Sequence, residues 1–164
     1  MERINKILVP TDFSDCSREA IEYAVTLAQQ LDATLLLTHA MERTVYPVDF
    51  ALPEQVIYPH LRKEVAAELE RNAALWNGKG VCIETHLVKG EPSDAIVQAA
   101  KDFECDLIVM GTHGRRGFSR ALMGSVAEQV IRSSVVPVLT VRQHKREPIR
   151  RPEMESEGIA ASAR

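Results

Sequence analysis

No two cysteines in this chain stand close enough to form a motif. Cys16, Cys82 and Cys105 are the only three, and no C-x-x-C occurs. An odd, scattered set supplies neither a disulfide framework nor a zinc site, so these thiols read as small, mostly buried apolar residues. The five histidines, His39, His60, His86, His113 and His144, are scattered too. None sits at ligand spacing from another His or a Cys, which leaves no metal site to nominate. A basic surplus is also missing: 20 Lys and Arg face 23 Asp and Glu, for a net charge of −3. A general nucleic-acid binder would usually show the opposite balance. No apolar run nears the roughly 20 residues of a membrane helix, and Met1-Glu2-Arg3-Ile4 leads into a strand without a signal-peptide core. The expectation is a cytoplasmic protein with neither nucleic acid nor membrane as partner.

Familiar catalytic signatures are absent as well. No G-x-x-x-x-G-K followed by Ser or Thr is present, so this is no P-loop NTPase. No G-x-G-x-x-G follows the first strand, which weakens dinucleotide binding. No G-x-S-x-G elbow marks an α/β-hydrolase. Asp12 takes the place of a response-regulator phosphoacceptor, but Lys6-Ile7-Leu8 offers no acidic pair before it. No two acids stand out as a general acid/base couple. No catalytic residue is nominated.

What the chain does have is a strand, a glycine-rich loop and a helix in succession. Leu107 to Met110 is an apolar strand that runs into Gly111; Gly114 follows, then Gly124-Ser125 and a helical segment from Val126 to Arg132. Glycine lets a ligand approach the backbone closely. Clustered N–H groups at such a loop and at a helix start attract anions. The arrangement suggests a phosphate nest, with Arg115 and Arg116 beside it; the alternative is a loop of ordinary turn chemistry.

The remaining elements fit the 164 residues to one domain of ordinary soluble composition, 45% hydrophobic and 26% charged. Ile4 to Val9 reads as a buried strand bounded by Pro10. Ser14 is placed to cap a helix whose inner face is Ala20, Ala24, Leu27, Ala28 and Leu31. A Leu-rich strand spans Thr34 to Ala40, and a loop follows from Met41 to Leu52. A second helix runs from about Glu54 to Asn77, with Pro59 moving the expected start toward His60. Gly78 and Gly80 turn the chain. Val81 to Val88 alternates as a half-buried strand near an edge, with His86 on its wetter face. Pro92 opens a third helix, packed through Ala95, Ile96, Ala99 and Ala100. Asp106 to Met110 is the fourth strand. The last, Val135 to Val141, contains Pro137, which places it at an edge or starts it after the proline. Strand and helix alternate throughout. This predicts a doubly wound α/β fold: a five-stranded parallel sheet with helices on both faces. Ligands of such sheets bind beyond the carboxyl ends of the strands, where strand order reverses. Residues 143–164, charged and broken by Pro148, Pro152 and Gly158, read as a flexible tail.

Two distant segments resemble one family. Ile7-Leu8-Val9-Pro10-Thr11-Asp12-Phe13-Ser14 and Gly111-x-x-Gly114-(nine residues)-Gly124-Ser125, with Pro137 to Val141 as closing strand, are similar to the universal stress protein family across about residues 2 to 142. The glycine spacing is that of its ATP-binding branch. The resemblance implies strand order 3-2-1-4-5 and a homodimer formed through Val135–Val141. It also implies an adenine nucleotide, ATP or else AMP or ADP, over the switch point. Asp12 would hold the ribose or adenine edge, with Pro10 and Thr11 shaping the pocket. Ala40, often valine in the family, would meet adenine through its backbone. Met110 and Gly111 would line the sugar and phosphates, and His113, Gly114 and Arg115 would contact phosphates. Gly124, Ser125 and Val126 would close the nest. Mg²⁺ would be held mainly by the phosphates. Asp12 and Ser125 have alternative roles as helix caps, and His113 as a solvent-facing residue. The function implied is a nucleotide-binding stress-response sensor acting on an unknown protein partner. A slow ATPase or self-phosphorylating protein, on Thr112, Ser119 or Ser125, is a weaker alternative. A nucleotide-independent dimeric adaptor is another.

Overall fold

A computed structural model describes residues 3–42, 54–76, 78–112 and 123–142. In chain order the elements are β1 (Lys6–Pro10), α1 (Asp15–Leu31), β2 (Thr34–Met41), α2 (Glu54–Ala74), β3 (Ile83–Lys89), α3 (Pro92–Asp102), β4 (Leu107–Gly111), α4 (Ser125–Ser133) and β5 (Val138–Val141). The five strands form one sheet in the order β3-β2-β1-β4-β5, and each neighbouring pair is parallel. The expected topology is the one observed.

The central strands are apolar along their length because both sheet faces are covered. Side chains alternate between faces with period two. Ile7, Val9, Leu35, Leu37 and Val109 join Ile21, Ala24, Val25 and Ala28 of α1 and Leu69 and Ala73 of α2 in one core. Leu8, Leu36, Ile108 and Met110 join Ile96, Ala99 and Ala100 of α3 and Ala127 and Val130 of α4 in the other. Ser14 caps α1 as expected, accepting from the Ser17 N–H, and Pro92 stands in the first turn of α3.

Several boundaries depart from expectation. β1 includes Pro10, paired in register with Thr38, rather than ending before it; a proline at the last rung costs the ladder little. α2 begins at Glu54 and carries Pro59 inside it. Proline withholds one N–H there, and turns on both sides continue the helix. α2 ends at Ala74, before Gly78 and Gly80 turn the chain with φ of 79° and 73°. β5, by contrast, starts after Pro137 and lies at the sheet edge, as the proline implied; the Pro137 carbonyl accepts from Ile108 N–H at 2.9 Å. Cys82 is exposed, unlike Cys16 and Cys105, because it precedes the edge strand β3. His86 lies on the face of β3 that carries the exposed Glu84, as expected, but its ring is half-buried 4.3 Å from that of Phe103, with Nε2 3.5 Å from a Glu84 carboxylate oxygen. α3 covers that side of β3, which strand alternation alone does not reveal. The loop from position 43 and the tail from position 143 lie outside the described residues.

At the amino end of the sheet, the Asp106 carboxylate accepts from the N–H groups of Asn5 at 2.7 Å and Lys6 at 3.0 Å, tying β1 to β4. Beside it, burial pushes the Cys105 thiol from the ordinary 9.0 up to about 11; nearby Lys6 opposes the rise and Asp106 adds to it. The folded state therefore holds a proton that the unfolded chain releases between those two values. Stability falls as pH rises from 9 toward 11, by on the order of 2 kcal/mol from this group. Urea unfolding across that range should show a shallower loss in Cys105→Ala than in the parent chain. In native protein near pH 8, a thiol reagent should label Cys82 ahead of the two buried thiols.

Candidate functional site

Strand order reverses between β1 and β4: the chain goes from β1 outward to β3, then returns to β4 and proceeds to β5. The carboxyl ends of these two adjacent strands define the switch point, where crevices form in open α/β sheets. Pro10, Thr11 and Asp12 leave β1 there. Gly111 and Thr112 leave β4 beside them.

The exit from β1 is fixed by its own polar groups. Thr11 N–H donates to Thr38 O at 2.8 Å, one rung past Pro10. Ser17 Oγ donates its proton to Ser14 O at 2.9 Å. The Thr11 hydroxyl must then be the donor in its 3.1 Å contact with Ser17 Oγ. Thr11 Oγ1 in turn accepts from Phe13 N–H at 3.0 Å. Asp12 Oδ1 accepts from Ser14 N–H at 3.1 Å, closing an Asx turn. Asp12 is thus not the cap of α1; that position belongs to Ser14. Phe13 takes φ of 63°, a left-handed conformation that costs a bulky residue about 1–2 kcal/mol. Its ring stacks on His39, centroids 4.7 Å apart and planes at 26°, a contact worth about 0.5–1.5 kcal/mol. His39 Nδ1 lies 2.7 Å from Thr11 O. A carbonyl only accepts, so Nδ1 carries the proton.

The β4 side is held as tightly. Thr112 N–H donates to Val141 O at 3.0 Å, and Gly124 N–H donates to Thr112 O at 2.7 Å. The second bond brings the start of α4 to the end of β4. Gly124 is the N-cap of α4, with no side-chain cap, and Ser125 is the first helical residue. Ser125 is therefore not the cap; it is exposed and Val126 half-buried. A helix start of this kind presents N–H groups to an anion. Gly111 packs on the first turn of α1, where a Cβ would stand 2.8 Å from Cys16 Sγ and 3.0 Å from Cys16 O.

The structure therefore gathers Pro10, Thr11, Asp12, Met110, Gly111, Gly124, Ser125 and Val126 around one end of the sheet. The Met110 side chain is 5% exposed and belongs to the core, which leaves its backbone for the site. Ala40 lies on β2 beyond the Pro10–Thr38 rung, opposite Val88 of β3. His113, Gly114 and Arg115 lie outside the described residues. Sequence reading missed Thr38, His39, Cys16 and Ser17. Only Ser17, three residues after a capping serine, carried a local signal. A recess of about 310 Å³ lies on the α2 side of the turn, lined by Phe13, His39, Glu64, Val65, Glu68 and Arg71. Arg71 pairs there with Glu68 at 2.5 Å. Among the described residues no three His, Cys, Asp or Glu gather as a metal site, and no helix is long and apolar enough to cross a membrane.

Comparison with known proteins bears on this site. Residues 3–142 match the profile of the Universal stress protein family. Universal stress protein MJ0531 of Methanocaldococcus jannaschii is 36% identical over 146 residues, covering 87% of this chain and 84% of its own. The solved structure of MJ0577 from the same organism superposes with a TM-score of 0.75 at 27% identity, over 87% of this chain and 99% of that one. A universal stress protein solved in complex with cAMP superposes with a TM-score of 0.59 at 30% identity, over 87% and 100%.

The packing of Gly111 gives a direct test. Gly111→Ala should lower unfolding free energy by about 1–3 kcal/mol, the usual cost of overpacking. Adding Cys16→Ala should recover only part of it, because the Cys16 backbone also stands at 3.0 and 3.1 Å from the new Cβ. Urea denaturation of the single and double variants measures both effects.

Proposed function

This chain belongs to the universal stress protein family, and from that premise we propose that it binds an adenine nucleotide at the switch point between β1 and β4. One observation carries the reading. The Thr112 O–Gly124 N bond sets the start of α4 against the end of β4, beside the turn that carries Asp12. A phosphate chain at the α4 start would run past Gly111, where the backbone is bare of side chain, toward Asp12 and the β2 edge at Ala40. The relative solved with cAMP, 30% identical to this chain, supports an adenine nucleotide as the ligand class. ATP is the form we favour, because the spacing of Gly111, Gly114 and Gly124-Ser125 matches the family's ATP-binding branch. His113, Gly114 and Arg115 complete the phosphate contacts in this reading. Mg²⁺ would be held mainly by the phosphates in this reading.

The protein acts in this reading as a cytoplasmic stress-response sensor and homodimer. β5 is an edge strand whose four residues are all half-buried, and neither Lys nor Asp nor Glu interrupts Val138–Val141. Uncharged edges invite pairing with another copy. Nucleotide binding stabilises the folded form by mass action, and occupancy would report nucleotide level to a protein partner.

Calorimetric titration with ATP, ADP, AMP and cAMP, with and without Mg²⁺, tests the ligand. Asp12→Ala should weaken binding about tenfold or more, the loss expected for a charge-assisted hydrogen bond. Asp12→Asn should fall between, because its amide oxygen still closes the turn on Ser14. No heat and no thermal shift at millimolar nucleotide would sink the reading. Sedimentation velocity tests the dimer: the parent chain should run at twice its chain mass. Val135→Glu, at a residue 78% exposed, should move it toward the monomer without unfolding it.

A further inference from the structure

We propose that His39 is a positioning residue for the nucleotide pocket. It sets the Asp12 turn from behind, through the Thr11 carbonyl, without itself touching nucleotide. The inference rests on the switch-point reading above and deepens it.

Two elements far apart in sequence meet at this contact. His39 lies on β2 and Thr11 at the exit of β1, 28 residues away, yet Nδ1 reaches Thr11 O at 2.7 Å. Thr11 is the pivot of the turn. Its N–H is fixed by Thr38 O and its hydroxyl bridges Ser17 and Phe13 N–H. Its carbonyl is the third handle, and His39 holds it. Asp12 is attached directly to that carbonyl, so rotation of the Thr11–Asp12 peptide would swing the Asp12 carboxylate away from the crevice. The same imidazole stacks on Phe13, on the other side of Asp12. One side chain therefore brackets Asp12 from both neighbours. Both rings border the recess of about 310 Å³ facing α2, and Phe13 also packs against the core. The bond to Thr11 O adds a directional hold on the turn that packing does not provide.

The arrangement predicts that the donor at position 39 matters more than the ring. His39→Phe keeps an aromatic ring to stack on Phe13 and removes the donor. His39→Asn loses the ring but keeps an N–H donor on Cγ, two bonds from Cβ as Nδ1 is. With ATP as probe, His39→Phe should weaken binding about five- to tenfold, the effect of one lost hydrogen bond, and His39→Asn should stay within about twofold of the parent chain. Amide exchange at Phe13 and Ser14 should quicken in His39→Phe and return toward the parent rate in His39→Asn. Thermal melts check that both variants fold, and His39→Leu replaces His39→Phe if that variant does not. The proposal is overturned if His39→Phe binds like the parent, or if His39→Asn is weakened as much as the donor-free variant. Should the parent chain itself take up no nucleotide, the switch-point reading fails separately. Exchange at Phe13 and Ser14 then decides alone: unchanged rates in the donor-free variant refute the hold of His39 on the turn, and faster rates restored by Asn sustain it.

Discussion

β1 has no wet face, and the rest of the molecule answers to that. From Ile7 to Pro10 every residue is buried. β2 lies on one edge of it and β4 on the other, and helices cover it above and below. A strand enclosed on four sides can release its chain only at its ends. At the carboxyl end β2 runs on past the Pro10–Thr38 rung to Met41 while β1 stops, so the exit of β1 opens beside the projecting end of its neighbour. Burial of Ile7, Leu8 and Val9 thereby puts Thr11, Asp12 and Phe13 at the switch point. Hydrophobic packing decides where the polar chemistry stands, although it contributes none of that chemistry.

The turn that follows shows how a costly conformation is sustained. Phe13 sits in a left-handed backbone region that a side chain of its size avoids. The donors and acceptors described around it, Thr11, Asp12, Ser14, Ser17 and His39, are linked to one another by hydrogen bonds. The strain is comparable to one or two of those bonds. Such a turn is rigid for the same reason that it is strained: relaxing Phe13 would break several contacts at once.

How much of this was legible in the sequence follows from the range of each interaction. The alternation of elements, the two faces of the central strands, the Ser14 cap and the edge positions of β3 and β5 depend on neighbours or on periodicity, and the sequence displays both. Strand order was supplied by the family resemblance and is the order found. Pro59 misled because a proline signal is local, whereas the helix around it is sustained by turns on either side. The exposure of Cys82 and the cover of the His86 ring by Phe103 were not legible, because both depend on what packs on β3. His39 was passed over among scattered histidines, since its partner Thr11 is distant in the chain. At the candidate site, the glycines and Asp12 announced themselves through spacing and position. The roles of Ser125 and Gly124 at the α4 start, and the contact of Gly111 with Cys16, needed three dimensions.

The long reach of the Asp106 contacts has a consequence for how the chain assembles. Asp106 binds backbone groups 101 and 100 residues earlier, and β4 is the second neighbour of β1. During synthesis, β1, α1 and β2 can pair as soon as they emerge, because their contacts are local. The far edge of β1 stays open until β4 has been made, and closing so large a loop is slow relative to local pairing. For most of translation, the strand most enclosed in the finished protein is an uncovered sheet edge. The nascent chain is then most vulnerable to pairing with the wrong partner at the strand whose exit forms the candidate site.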